Sequence, residues 1–214
     1  MTPAELAARL RLIVITDRDS AAPRSIFDVV EEALEAGAPA IQLRDKEASA
    51  LELYEAGKAL LPLIRKAGAL LFVNDRVDVA LALGADGVHV GPNDLPVKTL
   101  RAAVPGDFLI GASADDPSEA QTLVADGASY IGCGTVYATT TKTDAGEVLG
   151  LEGLLRVVRA VAVPVLGIGG ITPERAARVA ETGATGVAVV EAVMGAPDVS
   201  QAVSALLAPW PRNA

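Results

Sequence analysis

A (β/α)8 barrel, an α/β fold, is what this sequence predicts, and three observations carry the prediction. Eight short apolar runs punctuate the 214 residues, segments rich in Ala, Leu, Glu and Arg with helical spacing separate most of them, and five Gly-Ala pairs stand between a helical segment and the next run. Short strands buried on both faces and separated by helices are the pattern of a parallel sheet. Eight such units close most simply into a barrel.

The units follow in order along the chain. The apolar run at 12–16 is the first strand, and the helical segment 26–36 leads through Gly37-Ala38 into the second strand at 40–43. A long helical segment, 51–67, ends at Gly68-Ala69, and the third strand follows at 70–73. Helix 77–83 ends at Gly84-Ala85 before the fourth strand, 87–90, and helix 97–104 precedes the fifth, 108–111. Helix 118–126 and Gly127-Ala128 lead to the sixth strand at 130–132. Helix 151–160, strand 164–168, helix 173–182 with Gly183-Ala184, strand 186–190 and helix 199–207 complete the series. Glycine suits the left-handed residue that closes a helix, and alanine permits close packing where the chain turns inward. A doubly wound sheet is the alternative, but Gly132-Cys133-Gly134 and Gly167-Ile168-Gly169-Gly170 do not complete the dinucleotide-binding glycine pattern. A single domain over 1–214 is expected, without a linker or low-complexity segment.

Composition narrows the function. A hydrophobic content of 51% with 21% charged residues fits a folded globular protein. No apolar stretch approaches the roughly 20 residues of a membrane span and no signal-like segment opens the chain, so a cytoplasmic location is expected. The net charge of −9 and 3% aromatics argue against nucleic-acid and anionic-membrane partners. Zinc sites built on several His or Cys ligands are excluded by a single histidine, His89, and a single cysteine, Cys133. Cys133 reads as a packed strand residue, and His89 as a hydrogen-bonded barrel residue rather than an acid or base.

Chemistry in such a barrel gathers at the carboxyl ends of the strands. The second strand runs into Gln42-Leu43-Arg44-Asp45-Lys46, where Gln42, Arg44 and Lys46 alternate onto one side. By itself the segment reads as a solvated loop, but the guanidinium fork beside an ammonium also suits a diphosphate. Later strand ends supply Asn74-Asp75-Arg76, Asp94, Ser113, Thr139-Thr140-Thr141-Lys142, Gly169-Gly170 and Glu191. Asp75 or Asp94 alone would read as a helix cap. After neighbouring strands about 5 Å apart, however, the two carboxylates could share a cation, and oxygen ligands that bridge to phosphate suit Mg2+. The 134–149 segment is long and rich in Thr, Asp and Gly, which suggests either a lid bearing hydroxyls and Lys142 or merely a floppy loop. Gly169-Gly170 near a helix start offers backbone N–H groups to a phosphate, although Thr172 and Pro173 explain much of the turn as capping.

Taken in order, these segments resemble the thiamine phosphate synthase family. The resemblance rests on Ile13-Val14-Ile15-Thr16-Asp17, Gln42 through Lys46, Asn74-Asp75-Arg76-Val77-Asp78, Ala85-Asp86-Gly87-Val88-His89-Val90-Gly91, Asp94-Leu95-Pro96, Gly111-Ala112-Ser113, Thr139 through Lys142, Gly167 through Ile171 and Gly186 through Val190. It implies a Mg2+-dependent alkyl transfer between two small-molecule substrates, a pyrimidine diphosphate and a thiazole phosphate, through a carbocation captured by the thiazole nitrogen. Arg44, Lys46, Asn74 and Lys142 would hold the diphosphate, and Asp75 and Asp94 the metal. Gln42 and Ser113 would orient pyrimidine or leaving group. Thr139, Thr141, the backbone at Gly169 or Gly170 and that at Val190 would receive the thiazole phosphate.

One position departs from the family pattern: Glu191 stands where a serine is frequent, and it would either repel the phosphate or point away along a helix. The related thiazole tautomerases use a histidine just after the fifth-strand serine, where this chain has Ser113-Ala114-Asp115. A catalytically silent barrel that senses phosphorylated ligands is the rival from another class, and metal-dependent turnover separates the two.

Overall fold

Eight parallel strands close on themselves in sequence order in the computed structural model, which describes residues 1–139 and 148–211. The strands are β1 (Leu12–Ile15), β2 (Ala40–Leu43), β3 (Leu70–Asn74), β4 (Gly87–Val90), β5 (Leu109–Ser113), β6 (Tyr130–Cys133), β7 (Val165–Ile168) and β8 (Gly186–Val189). β1 pairs with β8, Leu12 opposite Val187, and this pairing closes the barrel. All eight strands were expected, with ends that differ by at most two residues. Eight helices also match their expected positions: α3 (Ile26–Glu35), α4 (Ala50–Lys66), α5 (Val77–Leu83), α6 (Val97–Ala103), α7 (Pro117–Ala125), α8 (Gly150–Ala160), α9 (Pro173–Ala180) and α11 (Val199–Leu207).

Three further helices were not anticipated: α1 (Pro3–Arg9), α2 (Arg18–Ala21) and α10 (Glu191–Met194). The start of α1 is a capping box, in which Thr2 accepts from Glu5 N–H and the Glu5 carboxylate accepts from Thr2 N–H. Its Leu6 and the following Leu10 pack into the barrel interior with Ile13, Leu70 and Leu109, so α1 plugs the amino-terminal end. That end is therefore closed, and ligands have the opposite rim.

Alternation sorts each strand between two cores. Val14, Ile41, Leu71, Val88, Ile110, Ile131 and Val187 face the helices, while Ile15, Ala40, Phe72, Tyr130, Leu166 and Ala188 face the interior. The glycines of all five Gly-Ala pairs have positive φ, from +63° at Gly84 to +107° at Gly127, and the alanines after them are buried. This bears out the expected helix closures.

The interior is filled by matching one large side chain to several absent ones. Tyr130 on β6 is fully buried and packs edge-on against Phe72, with ring centroids 5.3 Å apart and planes at 71°. A Cβ on Gly111 of β5 would fall within the Tyr130 ring, and one on Gly132 would lie 3.1 Å from the His89 imidazole. The inward glycines thus make room for a phenol and an imidazole below the carboxyl-terminal rim. Cys133 is buried, and burial pushes its thiol up to about 12, in keeping with a packing residue. No helix among the described residues is long and apolar enough to cross a membrane.

Candidate active site

The carboxyl end of β1 sets the position of the cationic segment. Thr16, fully buried, accepts the Arg44 backbone N–H at 2.8 Å and donates to the Arg44 carbonyl at 3.0 Å, so one hydroxyl holds the chain as it leaves β2. Arg44 then lies along the rim with its side chain only 12% exposed and a guanidinium nitrogen 3.7 Å from Asp17. Asp17 also caps α2. Asp45, on the other side, pairs with Arg18 at 2.7 Å and accepts the N–H groups of Glu47 and Ala48, which holds the loop that carries Lys46. Gln42 is buried within the interior, at 3% exposure.

Asp75 has φ of +60°, alone in the left-handed region among the described non-glycine residues. Such a conformation costs on the order of 1 kcal/mol and concentrates at functional sites. The Asp75 N–H reaches the His89 carbonyl at 2.8 Å, which extends the β3–β4 ladder by one bond while the chain turns out of strand geometry. Neither aspartate is a helix cap: the residues at the cap positions of α5 and α6 are Arg76 and Pro96. Asp94 instead folds back to accept the Gly91 N–H at 2.7 Å, and the 91–94 turn aims it at Asp75.

The two carboxyl groups hydrogen bond to one another. Burial, then this bond and the Asp94 charge, raise the Asp75 carboxyl to about 6, against the pull of Lys46 and Arg44. The ends of β2, β3 and β4 therefore share one electrostatic environment. A divalent cation fits it: two hard oxygen donors that otherwise must share a proton face each other beside cations able to hold a phosphate. Among the described residues no group of three or more His, Cys, Asp or Glu forms a metal site, so the remaining ligands would be water or substrate oxygens.

The sign of the linkage follows from that raised value. With the folded carboxyl at about 6 and the unfolded one near 4, the proton stabilises the folded state fully below about pH 4, and this contribution is lost as pH rises through 6. Metal-free Asp75→Asn should accordingly gain stability over the parent protein as pH rises from 4 to 7, by roughly 1–2 kcal/mol after allowing for solvent screening of a half-buried group. Chemical denaturation at both pH values, in EDTA, measures it. A constant difference across that range would contradict the shared proton.

On the far side of the rim, Gly169 and Gly170 have φ of +95° and +60° and lie against the 135–138 backbone. A Cβ at Gly170 would sit 2.6 Å from the Ala138 carbonyl oxygen. Arg175 braces this corner by donating to the Gly170 carbonyl at 2.6 Å, with its guanidinium 4.7 Å from the Tyr137 ring centre. Thr172 precedes α9 but donates to Glu174 instead of capping the helix.

A family model described as thiamine monophosphate synthase matches residues 12–193, from the first residue of β1 into α10. The chain belongs to the thiamine monophosphate synthase family. It is an enzyme of the transferase class. A thiamine-phosphate synthase of Roseiflexus castenholzii is 52% identical over 193 residues, which cover 90% of this chain and 85% of the relative. One from Pyrococcus furiosus is 48% identical over 201 residues, 94% and 95% of the two chains. A solved structure titled thiamine phosphate pyrophosphorylase, also from Pyrococcus furiosus, superposes with a TM-score of 0.86 at 47% identity, covering 94% of this chain and 95% of that one. A 3-hexulose-6-phosphate synthase, at 19% identity and a TM-score of 0.68, shares the fold alone.

Most candidate residues of this thiamine monophosphate synthase family member lie on one rim. Gln42, Arg44, Lys46, Asn74, Asp75, Asp94 and Ser113 end or follow β2 to β5, and Thr139, Gly169, Gly170, Val190 and Glu191 follow β6 to β8. Lys142 and Thr141 lie outside the described residues, as does half of the expected lid. Sequence reasoning gave no role to Thr16 and Asp17, which fix Arg44, although a polar pair ending the apolar first strand was a usable signal. It also passed over Tyr130. This phenol contacts Gln42 and lies 3.0 Å from His89 Nδ1, and His89 Nε2 lies 3.1 Å from Ser113 Oγ. His89 is thus the hydrogen-bonded barrel residue that was expected.

Proposed function

We propose that this chain condenses 4-amino-2-methyl-5-hydroxymethylpyrimidine diphosphate with hydroxyethylthiazole phosphate, with Mg2+, to give thiamine phosphate and diphosphate. The observation that carries the reading is the meeting of Asp75 and Asp94 within the field of Arg44 and Lys46. Arg44, Lys46, Asn74 and Lys142 hold the leaving diphosphate, and Asp75 and Asp94 hold the metal. Bound there, Mg2+ supplies positive charge to the phosphate oxygens. The C–O bond to the diphosphate breaks, its electron pair leaves with the diphosphate, and the resulting pyrimidine-stabilised carbocation forms a C–N bond with the thiazole nitrogen. No proton need be moved in those two steps, which suits a rim of cations, amides and hydroxyls whose work is to stabilise leaving-group charge. Gln42 and Ser113 orient the pyrimidine end. Thr139, Thr141 and the backbone at Gly169, Gly170 and Val190 seat the thiazole phosphate. Incubating purified protein with both substrates and Mg2+ should yield thiamine phosphate and diphosphate in equal amounts, and thiazole phosphate recovered unchanged would refute the reaction.

Glu191 need not oppose that phosphate. It is exposed at the start of α10, and its carboxylate runs along the helix to lie over Gly195, where a Cβ would strike it. Glu191→Ser should therefore change the affinity for thiazole phosphate less than about twofold. A tenfold gain by titration calorimetry, about 1.4 kcal/mol, would place the carboxylate against the phosphate instead.

A further inference from the structure

The barrel interior beneath the reacting end of the site holds a continuous polar chain. Gln42 on β2 contacts the Tyr130 hydroxyl of β6, that hydroxyl lies 3.0 Å from Nδ1 of His89 on β4, and Nε2 of the same ring lies 3.1 Å from Ser113 Oγ at the end of β5. The inward glycines Gly111 and Gly132 leave the space these rings occupy. Four strands contribute, and the chain ends at a hydroxyl on the ligand rim.

Proton bookkeeping gives the chain a direction. Tyr130 is fully buried, and burial pushes its phenol far above the usual range, so it keeps its one hydrogen. Gln42 hydrogen bonds to that phenol, and an amide N–H given to the phenol oxygen leaves the phenol hydrogen for another acceptor. The phenol hydrogen is then directed to His89 Nδ1. An imidazole that accepts at Nδ1 carries its hydrogen on Nε2, and that hydrogen goes to Ser113 Oγ. The Ser113 hydrogen is left for a ligand. Run the other way, the chain would draw the Ser113 hydrogen into the imidazole and offer an anionic ligand only lone pairs.

We propose that Tyr130 and His89 are positioning residues: Tyr130 fixes the Nε2–H tautomer of His89, and this tautomer makes Ser113 a hydrogen-bond donor to the bound pyrimidine diphosphate. The identity of that ligand rests on the reaction proposed above, whereas the direction of the chain does not.

His89 is the sole histidine of the sequence, so histidine labelled with nitrogen-15 reports its ring alone. Ligand-free wild-type protein at pH 8 should show a protonated Nε2 and a bare Nδ1. Tyr130→Phe, which retains the ring against Phe72, should give mixed tautomers and a kcat lower by about tenfold, with KM for thiazole phosphate unchanged. Ser113→Ala should keep the Nε2–H tautomer and lose rate to a similar degree. An Nδ1–H or doubly protonated ring in wild type overturns the proposal, and so does Tyr130→Phe with both tautomer and kcat intact. Should Tyr130→Phe not fold, the wild-type spectrum decides alone. Absence of thiamine phosphate from wild-type incubations would instead sink the proposed reaction and leave the spectrum standing.

Discussion

Asp75→Ala should lower turnover by at least about 10²-fold, the scale seen when one preorganised charge-stabilising group is removed, while the barrel stays folded. The substitution deletes one of two carboxylates that meet at the ends of β3 and β4. It also adds strain at a backbone held at φ of +60°, because alanine tolerates the left-handed region less well than aspartate. Stability should consequently reflect two opposed terms, loss of a crowded acid pair and added backbone strain, whereas the rate has no such compensation. Steady-state kcat across a Mg2+ titration separates them: the variant should need a higher Mg2+ concentration and never reach the wild-type plateau. A variant that regained the full rate at saturating Mg2+ would mean that Asp75 only tunes metal affinity.

Loss of the diphosphate cations should be nearly as severe. Lys46 is exposed at the rim, so Lys46→Ala should alter stability by no more than about 0.5 kcal/mol yet reduce kcat by roughly 10²-fold. Lys142→Ala should act on the rate in the same way. Arg44 differs, because its side chain is largely buried beside Asp17, and Arg44→Ala would leave that carboxylate without its nearby guanidinium. That variant should lose stability as well as rate. Thermal melts alongside kcat distinguish the three, and full activity in both lysine variants would make the diphosphate assignment wrong.

The fold was legible because its signals are local and repeated. Apolar runs of three to five residues place β1 to β8 within two residues, and the Gly-Ala pairs mark helix ends through a backbone requirement that glycine meets at Gly84 and Gly127. Single-turn helices have no room for amphipathic periodicity, so α2 and α10 left no such trace. The seven-residue α1 had a readable signal in Thr2 and Glu5 and was passed over. At the rim, alternation along β2 reached only as far as Gln42, because the strand ends at Leu43 and Arg44 and Lys46 lie beyond it on a turn held by Thr16 and Asp45. It was not enough for Asp75, whose direction depends on a left-handed turn that aspartate adopts only in a supporting structure. Tyr130 read as an ordinary strand residue, since the space it fills is defined by Gly111 and its partners on other strands. Strand-end chemistry can be read one strand at a time, whereas the chain through Tyr130 and His89 exists only once four strands are neighbours.

The central claim is that the two aspartates and the surrounding cations form a metal-assisted centre for loss of diphosphate. Its most direct test is the rate of thiamine phosphate formation by wild-type protein stripped of metal in EDTA and then restored with Mg2+. Formation should fall to background in EDTA and return as free Mg2+ is raised into the millimolar range. Turnover that continues unchanged in EDTA would contradict the account.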